Sequence, residues 1–297
     1  MSPIVFAYIL LFALLLAAGA AALEQATRGR GMARHFWTAA IVLAVVAPCG
    51  ALGWRAVADR STTAATSAAS GPEALAAIVV NSGRNTVLRG SRLIGRDALI
   101  RMLLPSRHAL SSALAQLNSS FAAVAIVAWV TLSLALMAWL AFGVFHWRRA
   151  RRGWRRATLD GVSVDVSPVT GPAVVGLLSH RIVLPAWATT MQPEHRRLVL
   201  AHESEHISAR DPERLALAIA ALVLMPWNVG LWWCAARLRR AIELDCDTRV
   251  LRRFPGTKEY GYVLLEVASR GRDAGALAIP MVALLRLPSE LELRLRA

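Results

Sequence analysis

Of the chain's 297 residues, 56% are hydrophobic and only 18% charged, and the mean hydropathy is +0.46. This balance excludes an ordinary soluble globular protein, a disordered chain and a polar fibre. The net charge of +15 rests on arginine, with Lys258 the one lysine. Its densest cluster directly follows an apolar stretch, so it reads as a membrane flank and no direct nucleic-acid binding is expected.

Three stretches reach the roughly 20 apolar residues that a bilayer crossing takes: Pro3 to Leu23, Phe36 to Trp54 and Phe121 to Trp147. No basic residue precedes the first, which favours a retained anchor over a cleaved signal peptide. Arg28, Arg30 and Arg34 lie between the first two stretches, and Arg148, Arg149, Arg151, Arg152, Arg155 and Arg156 follow the third. The positive-inside rule makes both segments cytoplasmic and the N-terminus external. The segment from Arg55 to Ser120 also carries eight arginines, but it is long enough to be translocated regardless of charge. Its opening, Ser61 to Ser70, is rich in Ser, Thr and Ala and reads as linker. The expected organisation is therefore two transmembrane helices in 1–54, an extracytoplasmic loop in 55–120, a third transmembrane helix in 121–147 and a cytoplasmic domain in 148–297. Cys49, Cys234 and Cys246 are too few and too scattered to staple it with disulfides.

Beyond the arginine cluster the composition changes. Alternation at Val162, Val164 and Val166 and an apolar run at Ile182 to Leu184 predict short strands, with turns at Ser167-Pro168 and Gly171-Pro172. A helical run then extends from Glu194 to Arg210, with Pro193 suited to its first turn.

Within that run stands His202-Glu203-Ser204-Glu205-His206. Two His four residues apart project from one helix face and can reach one zinc ion, with Glu203 beside it as general base for a water. Catalytic zinc takes a third protein ligand, and a second acidic segment, Glu243-Leu244-Asp245-Cys246-Asp247, follows on a helix expected to begin near Arg237. Glu243 completes a two-His, one-Glu shell; Cys246 and Asp245 compete for the position. Asp247, one turn on from Glu243, can accept a hydrogen bond from a ligand imidazole. Asp211 reads first as a helix cap ahead of Pro212 and second as an outer partner of the site. His180, Arg249 and Tyr260 are candidates for steadying an oxyanion.

Sharing a metal across this distance constrains the intervening chain. Leu215 to Ala236 is apolar enough to cross a bilayer, and a straight crossing would leave His206 and Glu243 on opposite faces. Met225-Pro226-Trp227-Asn228 interrupts the run at its midpoint, and proline cannot continue a helical ladder. Two arms of about 11 residues, folded back as a re-entrant hairpin over 214–236, return the chain to its starting side; a proline-kinked spanning helix is the alternative.

Taken together, Ile182-Val183-Leu184-Pro185, the HExxH motif continued by Ile207 and by Arg210-Asp211, Pro226-Trp227-Asn228, Glu243 to Asp247 followed by Arg249-Val250-Leu251, and Tyr260-Gly261 resemble the BlaR/MecR family of membrane-embedded zinc metallopeptidases. The resemblance covers roughly residues 1–270 and is specific from about Ile182 to Leu265; Ser289 to Arg296 also resembles the basic segment after the family's peptidase core. It implies a multi-pass α-helical membrane protein with a small α+β gluzincin-like zinc metallopeptidase domain facing the cytoplasm. His202, His206 and Glu243 would hold zinc and Glu203 would be the acid/base. The antibiotic-sensing members carry a further span and a penicillin-binding sensor, which this sequence, ending at Ala297, does not include; it is read as a sensorless relative or as part of a longer protein. The implied partners are the lipid bilayer and a protein substrate such as a winged-helix repressor. The competing functions are a housekeeping membrane protease of the HtpX type and a zinc-braced receptor or scaffold without activity. The Val-rich strand ending at Pro185 is the expected place for an extended substrate to add as a strand.

Overall fold

The computed structural model describes residues 3–27, 31–69, 94–168, 170–177, 179–255 and 257–273. Arg28, Arg30, residues 70–93 in the middle of the 55–120 segment and Ser289 to Arg296 lie outside them. The chain divides into two compact units, one of Met1–Phe6 with Val45–Ile126 and one of Ala7–Ala44 with Val127–Ala297.

Among the described residues three helices are long and apolar enough to cross a membrane: Ile4–Ala26, Ala33–Ala51 and Ser120–Arg151. They belong to α1 (Pro3–Ala26), α2 (Ala33–Ala69) and α3 (Ile94–Arg151), and they correspond to the three apolar stretches. The expected linker is different: α2 stays helical through Ala69. Residues 61–69 contain four alanines, the strongest helix former, and neither glycine nor proline. Helix α3 likewise begins at Ile94, well before its apolar part.

In the second unit a four-stranded sheet follows α3, built from β1 (Arg155–Leu159), β2 (Val162–Ser167), β3 (Ala173–Val175) and β4 (Arg181–Pro185) in the order β1-β2-β4-β3. Strands β1 and β2 form a hairpin across Asp160 and Gly161, at φ 49° and 81°. A two-residue Asp-Gly turn with both φ positive matches the twist of paired strands, and this signal marks β1 in the sequence. Arg155 and Arg156 therefore belong to an edge strand as well as to the membrane flank. Strand β4 runs parallel to β2 and antiparallel to β3. Because β4 is hydrogen-bonded on both sides and Ile182, Val183 and Leu184 are buried, it has no free edge for a substrate, contrary to the expectation for the strand ending at Pro185. The free edges belong to β1 and β3.

The sheet packs on α4 (Pro193–Ser208), with Val164, Ile182, Leu184, Val199, Leu200 and Val263 in one apolar cluster. Helices α5 (Asp211–Leu224) and α6 (Val229–Arg253) follow and pack against each other. The chain reverses at Met225–Asn228. Buried Asn228 caps α6 by accepting from the Leu231 N–H at 3.3 Å, and the Trp232 indole donates to the Pro226 carbonyl at 2.8 Å. The Trp129 indole of α3 donates to the Leu224 carbonyl at 2.6 Å, satisfying an acceptor that the end of α5 would leave orphaned. The second arm and the segment with Glu243 prove to be one helix, starting eight residues earlier than Arg237. One stripe on α6, Leu231, Cys234, Ala235, Leu238, Ala241, Ile242, Cys246 and Val250, is buried along its length, the three-and-four spacing of a single helix face. Its first turns meet α1 closely: a Cβ on Gly230 would stand 3.0 Å from Ala13 Cβ and 3.1 Å from the Ala13 backbone. Helix α7 (Thr257–Asp273) packs against α4 and contributes Val263 to the same apolar cluster.

Candidate metal centre

Helix α4 carries His202, Glu203 and His206, and α6 lies along it with Glu243, Cys246 and Asp247. The rings of His202 and His206 stand nearly perpendicular, 4.8 Å between centroids, and their Nε2 atoms are 3.2 Å apart. Two nitrogens bound to one tetrahedral zinc at 2.0–2.1 Å would be about 3.3 Å apart, so this spacing fits a shared ion. Glu243 Oε2 lies 3.8 Å from His202 Nε2. Cys246 Sγ lies 3.4 Å from the opposite nitrogen, His202 Nδ1, and 3.4 Å from the His202 carbonyl. His202, His206 and Cys246 each offer a donor atom within 4.8 Å of the others and form a group that could hold a metal ion. Two imidazoles with an adjacent carboxylate and thiol suit a borderline cation such as zinc better than a hard one.

The outer nitrogens of both imidazoles are engaged. His206 Nδ1 donates to Asp211 Oδ2 at 2.9 Å. His202 Nδ1 is 2.9 Å from the Tyr260 hydroxyl and 3.5 Å from Asp247 Oδ1, and the hydroxyl itself donates to Asp247 at 2.6 Å. A proton held on Nδ1 by an acceptor leaves the lone pair on Nε2, so these contacts aim both Nε2 atoms at the same point.

Asp211 is not the cap of α5. Arg210 occupies that position, in the left-handed region at φ 54°, and makes no side-chain cap. Asp211 is 1% exposed, and its carboxylate turns to His206. Tyr260 is buried on the far edge of His202, where it cannot reach a substrate oxyanion. Arg249 is tied to Glu205 at 3.0 Å, to Asp245 and to Asp211 at 3.6 Å, which removes it from the same role. Asp245 faces that arginine rather than the imidazole pair. His180 lies 3.5 Å from Glu213 at the start of α5. Glu203 is buried.

Burial opposes the charged form of His202, but hydrogen bonds to Cys246 and Glu243 outweigh it and raise its pKa to about 9. His206 is likewise lifted well above its ordinary value despite burial, chiefly by Asp211 and then Cys246. Burial pushes the Cys246 thiol up, yet the two imidazoles more than offset it and leave it below its usual value. In the metal-free protein at neutral pH the imidazoles therefore hold protons that a metal must displace. Affinity for zinc, measured by chelator competition, should climb about tenfold per pH unit for each proton released as the pH rises toward about 9, where His202 gives up its proton. A flat profile between about pH 7 and 9 would contradict this charge state.

Three apolar helices and a buried cluster of metal-competent side chains define the class, a membrane protein with a candidate metal centre. The sequence pattern described as BlaR1 peptidase M56 matches residues 26–297, and the chain belongs to that family, whose members are membrane metallopeptidases of the BlaR1 type. No curated protein matches the chain.

Proposed function

We propose that the chain is a zinc metalloendopeptidase in which His202, His206 and Glu243 hold the ion and Glu203 is the general acid/base. The observation that carries this reading is the convergence of the two Nε2 atoms, 3.2 Å apart, while Asp211 and the Tyr260–Asp247 pair occupy the outer nitrogens. Glu243 is preferred to Cys246 because its carboxylate lies on the Nε2 side of His202, whereas the thiol lies against Nδ1. When bound, zinc would supply Lewis acidity toward a peptide carbonyl. Glu203 would take the proton of the attacking water and return it to the leaving amine. Strand β3 has a free edge and touches α4, so an extended substrate would add there through main-chain hydrogen bonds.

The arginines after α3 favour a cytoplasmic active site with the N-terminus outside, and the α5–α6 reversal is read as a re-entrant hairpin. The substrate is proposed to be a cytoplasmic or membrane-proximal protein, such as a winged-helix repressor, which would make the protease regulatory. Purified chain in lipid nanodiscs, stripped of metal and reloaded, tests the activity against a peptide library read by mass spectrometry. Cleavage should vanish on stripping and return with zinc; cleavage equally fast after stripping would sink the reading.

A further inference from the structure

Arg34 opens α2, in the part of the chain that the sequence assigns to a membrane flank. It nevertheless reaches the metal centre: its guanidinium lies 2.8 Å from Asp245 Oδ2 and 3.7 Å from Asp211 Oδ1. Asp211 is the acceptor for His206 Nδ1, and it also faces Arg214 at 3.3 Å and Arg249 at 3.6 Å. Arg214 and Arg249 sit on α5 and α6 themselves; among the described residues in this cluster, Arg34 alone comes from the membrane helices. Gly31 presses on the same spot. It has φ +64°, and a Cβ there would come within 2.6 Å of Asp245 Oδ1, so the Asp245 carboxylate fills the space that a side chain would need. One to two turns away, Glu24 of α1 accepts from the Trp37 indole at 2.9 Å and pairs with Arg237 of α6 at 2.5 Å, while Arg237 also lies over the Trp37 ring. The second contact fixes the same helices to one another, so Arg34 meets Asp245 across an interface that is already docked.

We propose that Arg34 is a positioning residue for the metal centre, holding Asp211 and Asp245 so that the α1–α2 membrane helices set the orientation of His206. A buried carboxylate that must stay ionised to orient an imidazole needs compensating cations, and one of these is delivered by α2. A shift of α2 relative to α6 would therefore change metal affinity without moving any metal-binding side chain directly. The inference rests on the proposed metal site.

The test measures zinc affinity by chelator competition on full-length chain in nanodiscs, together with the thermal midpoint of the metal-free protein. Arg34→Gln should weaken zinc binding about tenfold, the low end for loss of a group behind a ligand, and Arg34→Lys should recover part of that. Asp211→Asn should weaken binding by itself, and adding Arg34→Gln to it should cost little more, as for two members of one network. Unchanged affinity in Arg34→Gln would overturn the proposal. So would a loss that adds in full to that of Asp211→Asn and accompanies a lower midpoint that lysine does not restore, since that describes a merely structural contact. A wild-type chain that takes up no zinc would instead overturn the proposed function, a result distinct from wild-type binding that Arg34→Gln leaves intact.

Discussion

Glu203→Gln is expected to leave the zinc content of the purified protein unchanged and to lower peptide hydrolysis by about 10²–10⁴-fold, the usual contribution of a positioned acid/base. Glu203 follows His202 directly on α4 and is buried. The amide keeps its size but can neither accept the proton of a water nor hand it to a leaving amine. Metal analysis and turnover, together with the cellular phenotype, separate the two protease readings from the scaffold. Zinc retained with cleavage lost supports catalysis. An unchanged cellular phenotype in the Glu203→Gln strain would favour a zinc-braced scaffold, and unchanged turnover would remove Glu203 from the chemistry.

The second large effect distinguishes the third ligand. Glu243→Ala should lower zinc affinity by several orders of magnitude and abolish hydrolysis, because an ion left with two imidazoles loses both a donor and its charge compensation. Cys246→Ala should keep the metal and most of the activity while lowering the thermal midpoint, since the thiol fills a buried position beside Val250 and Tyr260. Removing its contacts to His202 costs packing, not coordination. Titrations of both variants with zinc decide the matter: a reversed order of affinities would assign the ligand to Cys246.

The parts of this molecule that were legible in the sequence are those encoded locally. Three apolar runs, two His at helical spacing and a Met-Pro-Trp-Asn interruption each carry their meaning within a few residues, and the helices and the turn at Met225–Asn228 stand where those signals lie. Strands β2 and β4 announce themselves by alternation and by a short apolar run, but their order does not. The parallel pairing that makes β4 interior depends on residues 164 and 182 meeting, which no local pattern states. Strand β1 is masked by Arg155 and Arg156, which serve equally as a membrane flank, and the Asp160-Gly161 turn is what signals it. Tyr260 was visible as a polar aromatic, yet its placement behind His202 is decided by how α7 packs on α4. Arg34 carried no signal at all, since a membrane-flanking arginine and a partner of Asp245, far away in the chain, are the same letter.

X-ray absorption at the zinc edge of the full-length, zinc-loaded chain in nanodiscs tests the centre most directly. The account predicts one zinc per chain, bound to two imidazoles and otherwise to oxygen, with no sulfur neighbour. A scatterer at about 2.3 Å, the zinc–thiolate distance, or a protein that cannot be loaded would contradict it.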